Sequence, residues 1–192
     1  MNNKNKILIK LLKEININYN ANNLSKVIGI SSMGALKILK TLEKEGLAVS
    51  EKFGRASFYK INFDNNYALD FLELSLKTEI ETSASYTKRW INELRKITGA
   101  EIIVLFGSVL NNGEKAEDID VLFVLKHENF RKLRLEIEDL NNLNDKKIHS
   151  IYQTEEDFKK NLIKKDKIVL DAIKGIFIHG QRSFLEILKE LK

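Results

Sequence analysis

Two short apolar runs limit what this chain can fold into. Glu101-Ile102-Ile103-Val104-Leu105-Phe106 is almost wholly apolar and stops at Gly107-Ser108, while Asp118-Ile119-Asp120-Val121-Leu122-Phe123-Val124 opens on two carboxylates two residues apart. Runs this short that end at turn-forming residues read as buried strands. Side chains alternate along a strand, so Asp118 and Asp120 share one face and Ile119 and Val121 the other. The chain from 100 to 192 is therefore expected to build a small mixed sheet flanked by helices, an α+β arrangement.

The polar residues at the ends of these runs suggest one chemistry. Phosphate oxygens can approach the backbone of Gly107 closely, and helix-start N–H groups and the Ser108 hydroxyl supply donors. Asp118 and Asp120 aimed at one spot repel each other unless a hard cation lies between them, and Mg²⁺ (or Mn²⁺) suits carboxylates together with substrate phosphates.

Upstream the pattern changes from strand to helix. Ile7, Leu8, Leu11 and Leu12 recur at helical spacing over Lys4–Glu14. Asn22 or Asn23 is expected to cap a short second helix that ends at Gly29, and Ser31 or Ser32 a third that runs to Glu45. Leu47–Ser50 and Ser57–Ile61 then read as strands around Lys52-Phe53-Gly54-Arg55. This order predicts a winged helix-turn-helix over residues 1–63. Its third helix should bury Ala35, Leu39 and Leu42 and present Lys37, Lys40 and Lys44 elsewhere. Ser32, Met33 and Lys37 are placed to enter a major groove, Lys40 to meet phosphates, and Lys52 and Arg55 of the wing to reach the backbone or minor groove of double-stranded DNA. Residues 29–47 resemble the recognition region of winged-helix transcriptional regulators.

The charge distribution agrees with that division. Residues 1–63 hold 11 Lys/Arg against 4 Asp/Glu, whereas residues 64–192 hold 21 against 23, so the whole excess of +5 arises in the amino-terminal third. A basic module joined to a near-neutral one points to a polyanion partner for the first. Between them, residues 64–99 read as a helical connector whose later part, with Trp90, Ile91, Leu94 and Ile97, packs on the following sheet. Its earlier part, with Leu69, Leu72, Leu76 and Ile80, is a linker or a homodimer contact. With no Cys there is neither a disulfide nor a thiolate metal site. No apolar run approaches the length of a spanning helix, and the start lacks a signal-peptide core, so a cytoplasmic protein is expected.

Phe106-Gly107-Ser108, Asp118-Ile119-Asp120 and Ile176-Phe177-Ile178-His179-Gly180 together resemble the nucleotidyltransferases of the DNA polymerase beta fold, specifically their minimal branch. The resemblance implies that Gly107 and Ser108 bind nucleotide phosphates, that Asp118 and Asp120 hold the metal, and that residues 176–180 form the closing strand. It further implies metal-dependent transfer of a nucleoside monophosphate from a nucleoside triphosphate to a hydroxyl acceptor; some relatives modify a small helical toxin partner. Three positions depart from the family pattern. Val109-Leu110-Asn111-Asn112-Gly113 stands where Ala-Arg-Gly is common, leaving Lys115 as the nearest cation, and Glu117 stands where Ser often precedes the first Asp. His149, in Lys147-Ile148-His149-Ser150-Ile151, occupies the place of the third carboxylate, which makes it a candidate base in the neutral range or, more simply, a residue left where catalysis is no longer selected, imidazole being a poorer Mg²⁺ ligand than carboxylate. Two expectations follow: a DNA-binding nucleotidyltransferase, or a winged-helix transcriptional regulator whose transferase-like domain is weakened or inactive.

Overall fold

The computed structural model describes residues 1–192, which divide into two compact units, Met1–Ser75 with Lys192, and Leu76–Leu191. The amino-terminal unit begins with α1 (Asn3–Lys13), α2 (Ala21–Ile28) and α3 (Ser32–Lys44), followed by the hairpin strands β1 (Ala48–Phe53) and β2 (Ala56–Ile61). Ile7, Leu8, Leu12, Leu24, Leu39, Leu42 and Leu47 are fully buried and hold the three helices together. Tyr59 N–H donates to the Tyr19 carbonyl at 2.8 Å, so the segment before α2 adds a bridge to the hairpin. The Tyr19 hydroxyl donates to Glu14, and burial, followed by that hydrogen bond, pushes its ionisation well above the usual tyrosine range. The hydroxyl therefore remains a donor at any physiological pH.

Two local expectations are corrected here. The cap of α2 is Asn20, not Asn22 or Asn23: its side chain accepts from the N–H groups of both, while Asn23 Oδ1 accepts from Asn20 N–H at 2.8 Å. This is a reciprocal capping box made from two asparagines instead of the usual Ser/Thr and Glu/Gln. In the hairpin, Lys52 and Phe53 are strand residues paired with Ser57 and Ala56, so the loop shrinks to Gly54-Arg55. Gly54 takes φ +60° in open space, which suits a two-residue loop with Gly first. Phe53 and Phe58 pack edge to face at 5.9 Å. These cross-strand contacts extend the ladder to the tip.

α4 (Asn66–Glu81) crosses from one unit into the other. The carboxy-terminal unit continues with α5 (Ser85–Leu94), β3 (Ile102–Phe106), α6 (Val109–Asn112), β4 (Ile119–Val124), α7 (Phe130–Leu143), β5 (Ile148–Gln153), α8 (Glu155–Ile163), α9 (Lys167–Ala172), β6 (Ile176–His179) and α10 (Gln181–Glu190). The sheet order is β5-β4-β3-β6, with β4 and β5 parallel and the other pairs antiparallel, the mixed sheet expected. Ile176–His179 pairs with β3 as the closing strand. Ile103, Leu105, Ile119, Val121 and Phe123 pack with Trp90, Ile91 and Leu94 of α5 and Leu133, Ile137 and Leu140 of α7. The later connector helix thus lies on the sheet, and Trp90, 1% exposed, is core. A cluster of Phe177 and Phe184, stacked at 4.3 Å, with Phe158 against Phe184, belongs to the helices and strand that follow β5.

The turn that delivers the chain into β3 is held by Glu136 of α7. Its carboxylate accepts from Thr98 N–H at 3.2 Å, Thr98 Oγ1 at 2.7 Å and Gly99 N–H at 2.9 Å. Gly99 suits this place because a Cβ there would meet the Leu133 backbone at 3.0 Å. Glu136→Ala should cost about 1–2 kcal/mol, since the buried Gly99 N–H is left without its acceptor. Urea unfolding followed by fluorescence measures this; an unchanged midpoint would mean that the turn is held without Glu136.

Candidate cation and phosphate site

Sheet register brings the polar residues together. In the β3–β4 pair, Phe106 faces Asp120, so the chain leaving β3 through Gly107 passes directly over that carboxylate. In the parallel β4–β5 pair, Asp120 faces His149. Asp118 immediately precedes β4, and Ile119, Val121 and Phe123 on the opposite face are buried, which turns Asp118 and Asp120 away from the α5/α7 core. One ligand atom each from Asp118, Asp120 and His149 lies within 4.8 Å of the others. His149 Nδ1 is 2.8 Å from Asp120 Oδ1; the imidazole is 64% exposed and the Asp120 side chain 21%.

Gly107 is required by this packing. Its φ is +78°, and a Cβ built there would lie 2.0 Å from Asp120 Oδ2 and 3.0 Å from Asp120 Cβ. Only a residue without a side chain leaves the carboxylate its place. Ser108 follows in helical backbone conformation and heads α6; its hydroxyl makes no capping bond, so the helix does not consume it. Val109 is buried and anchors the short helix beneath. Lys115 and Glu117 are exposed in the segment between Ser108 and Asp118. β5 is pinned at its start by Ile148 N–H donating to Asn141 Oδ1 at 2.8 Å, one residue before His149. Asn141 escaped the sequence reading because its partner lies across the α7–β5 turn, and no motif signals such a bond.

The residues suit a divalent cation. Two carboxylates converge with an imidazole beside a glycine whose missing Cβ leaves the Asp120 carboxylate its place, and uncompensated carboxylates this close repel. A cation held by Asp118 and Asp120 would neutralise charge on a bound triphosphate.

The residues singled out for DNA occupy the amino-terminal unit. Ser31 caps α3 by accepting from Gly34 N–H at 3.0 Å, and Ser32 and Met33 follow at the helix start. Met33 is 74% exposed, whereas the Ser32 hydroxyl lies 3.1 Å from that of Ser25 and is partly engaged within the motif. Lys37, Lys40 and Lys44 are exposed on α3, opposite buried Ala35, Leu39 and Leu42. Lys52 and Arg55 are exposed on the wing; Lys60 is paired with Glu51 at 2.6 Å. His127 lies in a surface turn and His179 at the exposed end of β6, both outside the Asp118/Asp120/His149 cluster.

Residues 88–174 match the family described as Polymerase beta, Nucleotidyltransferase. The match covers just under half of the chain and contains Gly107, Ser108, Asp118, Asp120 and His149. No curated protein matches the chain. Among solved structures, that of adhesin competence repressor (AdcR) from Streptococcus pyogenes is similar at 19% identity over 51% of this chain and 68% of that one. Its TM-score of 0.37 is too low to bear on fold or function. No helix is long and apolar enough to cross a membrane.

Proposed function

We propose that the carboxy-terminal unit transfers a nucleoside monophosphate from a nucleoside triphosphate to a hydroxyl acceptor, and that the amino-terminal unit binds double-stranded DNA. The observation that carries the first part is the convergence of Asp118, Asp120 and His149 beside Gly107, within the stretch that matches the nucleotidyltransferase family. Asp118 and Asp120 hold a divalent cation, Mg²⁺ or Mn²⁺, and the Gly107 backbone with the Ser108 hydroxyl receives phosphate oxygens. The acceptor oxygen attacks the α-phosphorus, the bond to the β-phosphate oxygen breaks, and pyrophosphate leaves. The hydroxyl proton passes to a base, for which His149 is the candidate, or to water.

The test uses the full chain with radiolabelled ATP, CTP, GTP or UTP, Mg²⁺ or Mn²⁺, and cell extract as the source of acceptor. A labelled product that disappears when Asp118→Ala and Asp120→Ala are combined is the expected result. Failure to label anything with any of the four nucleotides sinks the transfer reading. A second reading then takes its place: a DNA-binding transcriptional regulator whose transferase-like unit binds without catalysis. Val109–Gly113, which brings no cation to the phosphates, and His149 in place of a carboxylate favour it.

The DNA part rests on the helix-turn-helix with its wing and on the net +7 of residues 1–63. Lys37→Ala and Arg55→Ala should each weaken binding to unrelated duplexes alike, and each should reduce the slope of log affinity against log salt by about one. Titrations from low to moderate salt measure this. Slopes unchanged in both variants would place the contact surface elsewhere.

A further inference from the structure

Every donor set that would serve a purely magnesium-dependent centre is oxygen, and this one is not. Asp118 and Asp120 supply carboxylate oxygens, but the third donor, delivered by the β4–β5 register opposite Asp120, is the imidazole nitrogen of His149. We infer that this site takes a first-row transition divalent cation in preference to Mg²⁺, with His149 as a direct ligand. The inference rests on reading Asp118 and Asp120 as cation ligands.

Three features support it. The separation of His149 Nδ1 and Asp120 Oδ1 is 2.8 Å. These two atoms are hydrogen-bonded to each other, and because one ligand atom each from Asp118, Asp120 and His149 lies within 4.8 Å of the others, a single cation can take the place of the shared proton and reach all three. The chemistry of the donors points the same way: Mg²⁺ demands near-ideal octahedral oxygen ligation and dehydrates reluctantly, whereas imidazole favours Mn²⁺ and its later neighbours increasingly along the series. Finally, the backbone that carries His149 is held in register beside Asp120, because Asn141 pins the strand one residue earlier. The exposed ring leaves room for the remaining coordination positions to be filled by water or substrate.

Coordination would occupy the nitrogen lone pair that faces Asp120, so in this arrangement His149 orders the ion and the proton of the acceptor leaves by another route. A ligand role and a base role are thus distinguishable by spectroscopy without any turnover.

The experiment uses the full-length protein with Mn²⁺ alone and with Mg²⁺ as competitor. Pulsed electron paramagnetic resonance of the Mn²⁺ complex should reveal coupling to a directly bound ¹⁴N nucleus, absent in His149→Ala. Calorimetry should give Mn²⁺ on the order of tenfold tighter than Mg²⁺, with the ratio falling in His149→Ala and in His149→Asp, the latter gaining affinity for Mg²⁺. Unfolding curves of the variants verify that they are folded, as expected for a side chain mostly in solvent. Mn²⁺ binding that lacks nitrogen coupling and survives His149→Ala, yet is lost in Asp118→Ala/Asp120→Ala, overturns the inference and leaves the carboxylate centre intact. Binding unchanged in all variants overturns both this inference and the reading of the Asp pair.

Discussion

Gly107→Ala is expected to lose cation affinity by more than tenfold while the protein remains folded. Two effects combine. The left-handed backbone at φ +78° costs an L-residue about 1–2 kcal/mol, and the new methyl would sit 2.0 Å from Asp120 Oδ2, a separation no pair of atoms tolerates. The carboxylate must then rotate or the β3–α6 turn must open, and either movement separates Asp120 from Asp118 and His149. Gly113→Ala is the control: it lies in the same unit at φ +55°, but a methyl there meets nothing within 4 Å. Both variants should lose stability through backbone strain, and only Gly107→Ala should lose the cation. Calorimetry with Mn²⁺ and thermal unfolding of the two proteins decide the matter. Equal cation affinity in Gly107→Ala and the parent would mean that Asp120 does not occupy the site.

Phe123→Ala should produce the largest loss of stability of any single change considered, about 3–5 kcal/mol. The ring is fully buried among the α5 and α7 side chains and stacks on Tyr152 at 6.0 Å with 21° between planes, so truncation removes both transfer energy and packing across β4 and β5. A domain of this size has a total stability of about 5–15 kcal/mol, so such a loss is a large share of it. Trp90 is the only tryptophan and belongs to the same cluster, so its fluorescence in urea follows the carboxy-terminal unit alone. A loss below about 1 kcal/mol would mean that the core collapses around the missing ring.

That Phe123 is buried follows from an apolar strand pattern, and periodicity likewise located α1 and α3, both wing strands, β3 and β4, whereas the closing strand followed from the family resemblance. Glu155, Glu156 and Asp157 open α8, with Thr154 accepting from Asp157 N–H at 3.1 Å. Where the reading slipped, local competition was the reason. Asn20, Asn22 and Asn23 are all competent caps, and only the backbone angles of Asn20 place its side chain over the helix end. Lys52 and Phe53 carry no turn residue of their own, but a glycine two positions on drew the loop too wide.

By itself the sequence determined the order and type of the elements, because periodicity, caps and Gly positions act within a few residues of one another. It also singled out the candidate site residues Gly107, Ser108, Asp118, Asp120 and His149. Only the tertiary structure decided that Gly107, Asp118, Asp120 and His149 meet. The contact between Asp120 and His149 spans 29 positions and depends on the parallel register of β4 and β5, and the need for glycine at 107 depends on the antiparallel register that lays it over Asp120. Register is set by how two strands bury their apolar faces together, a property of the packed sheet and not of either strand alone.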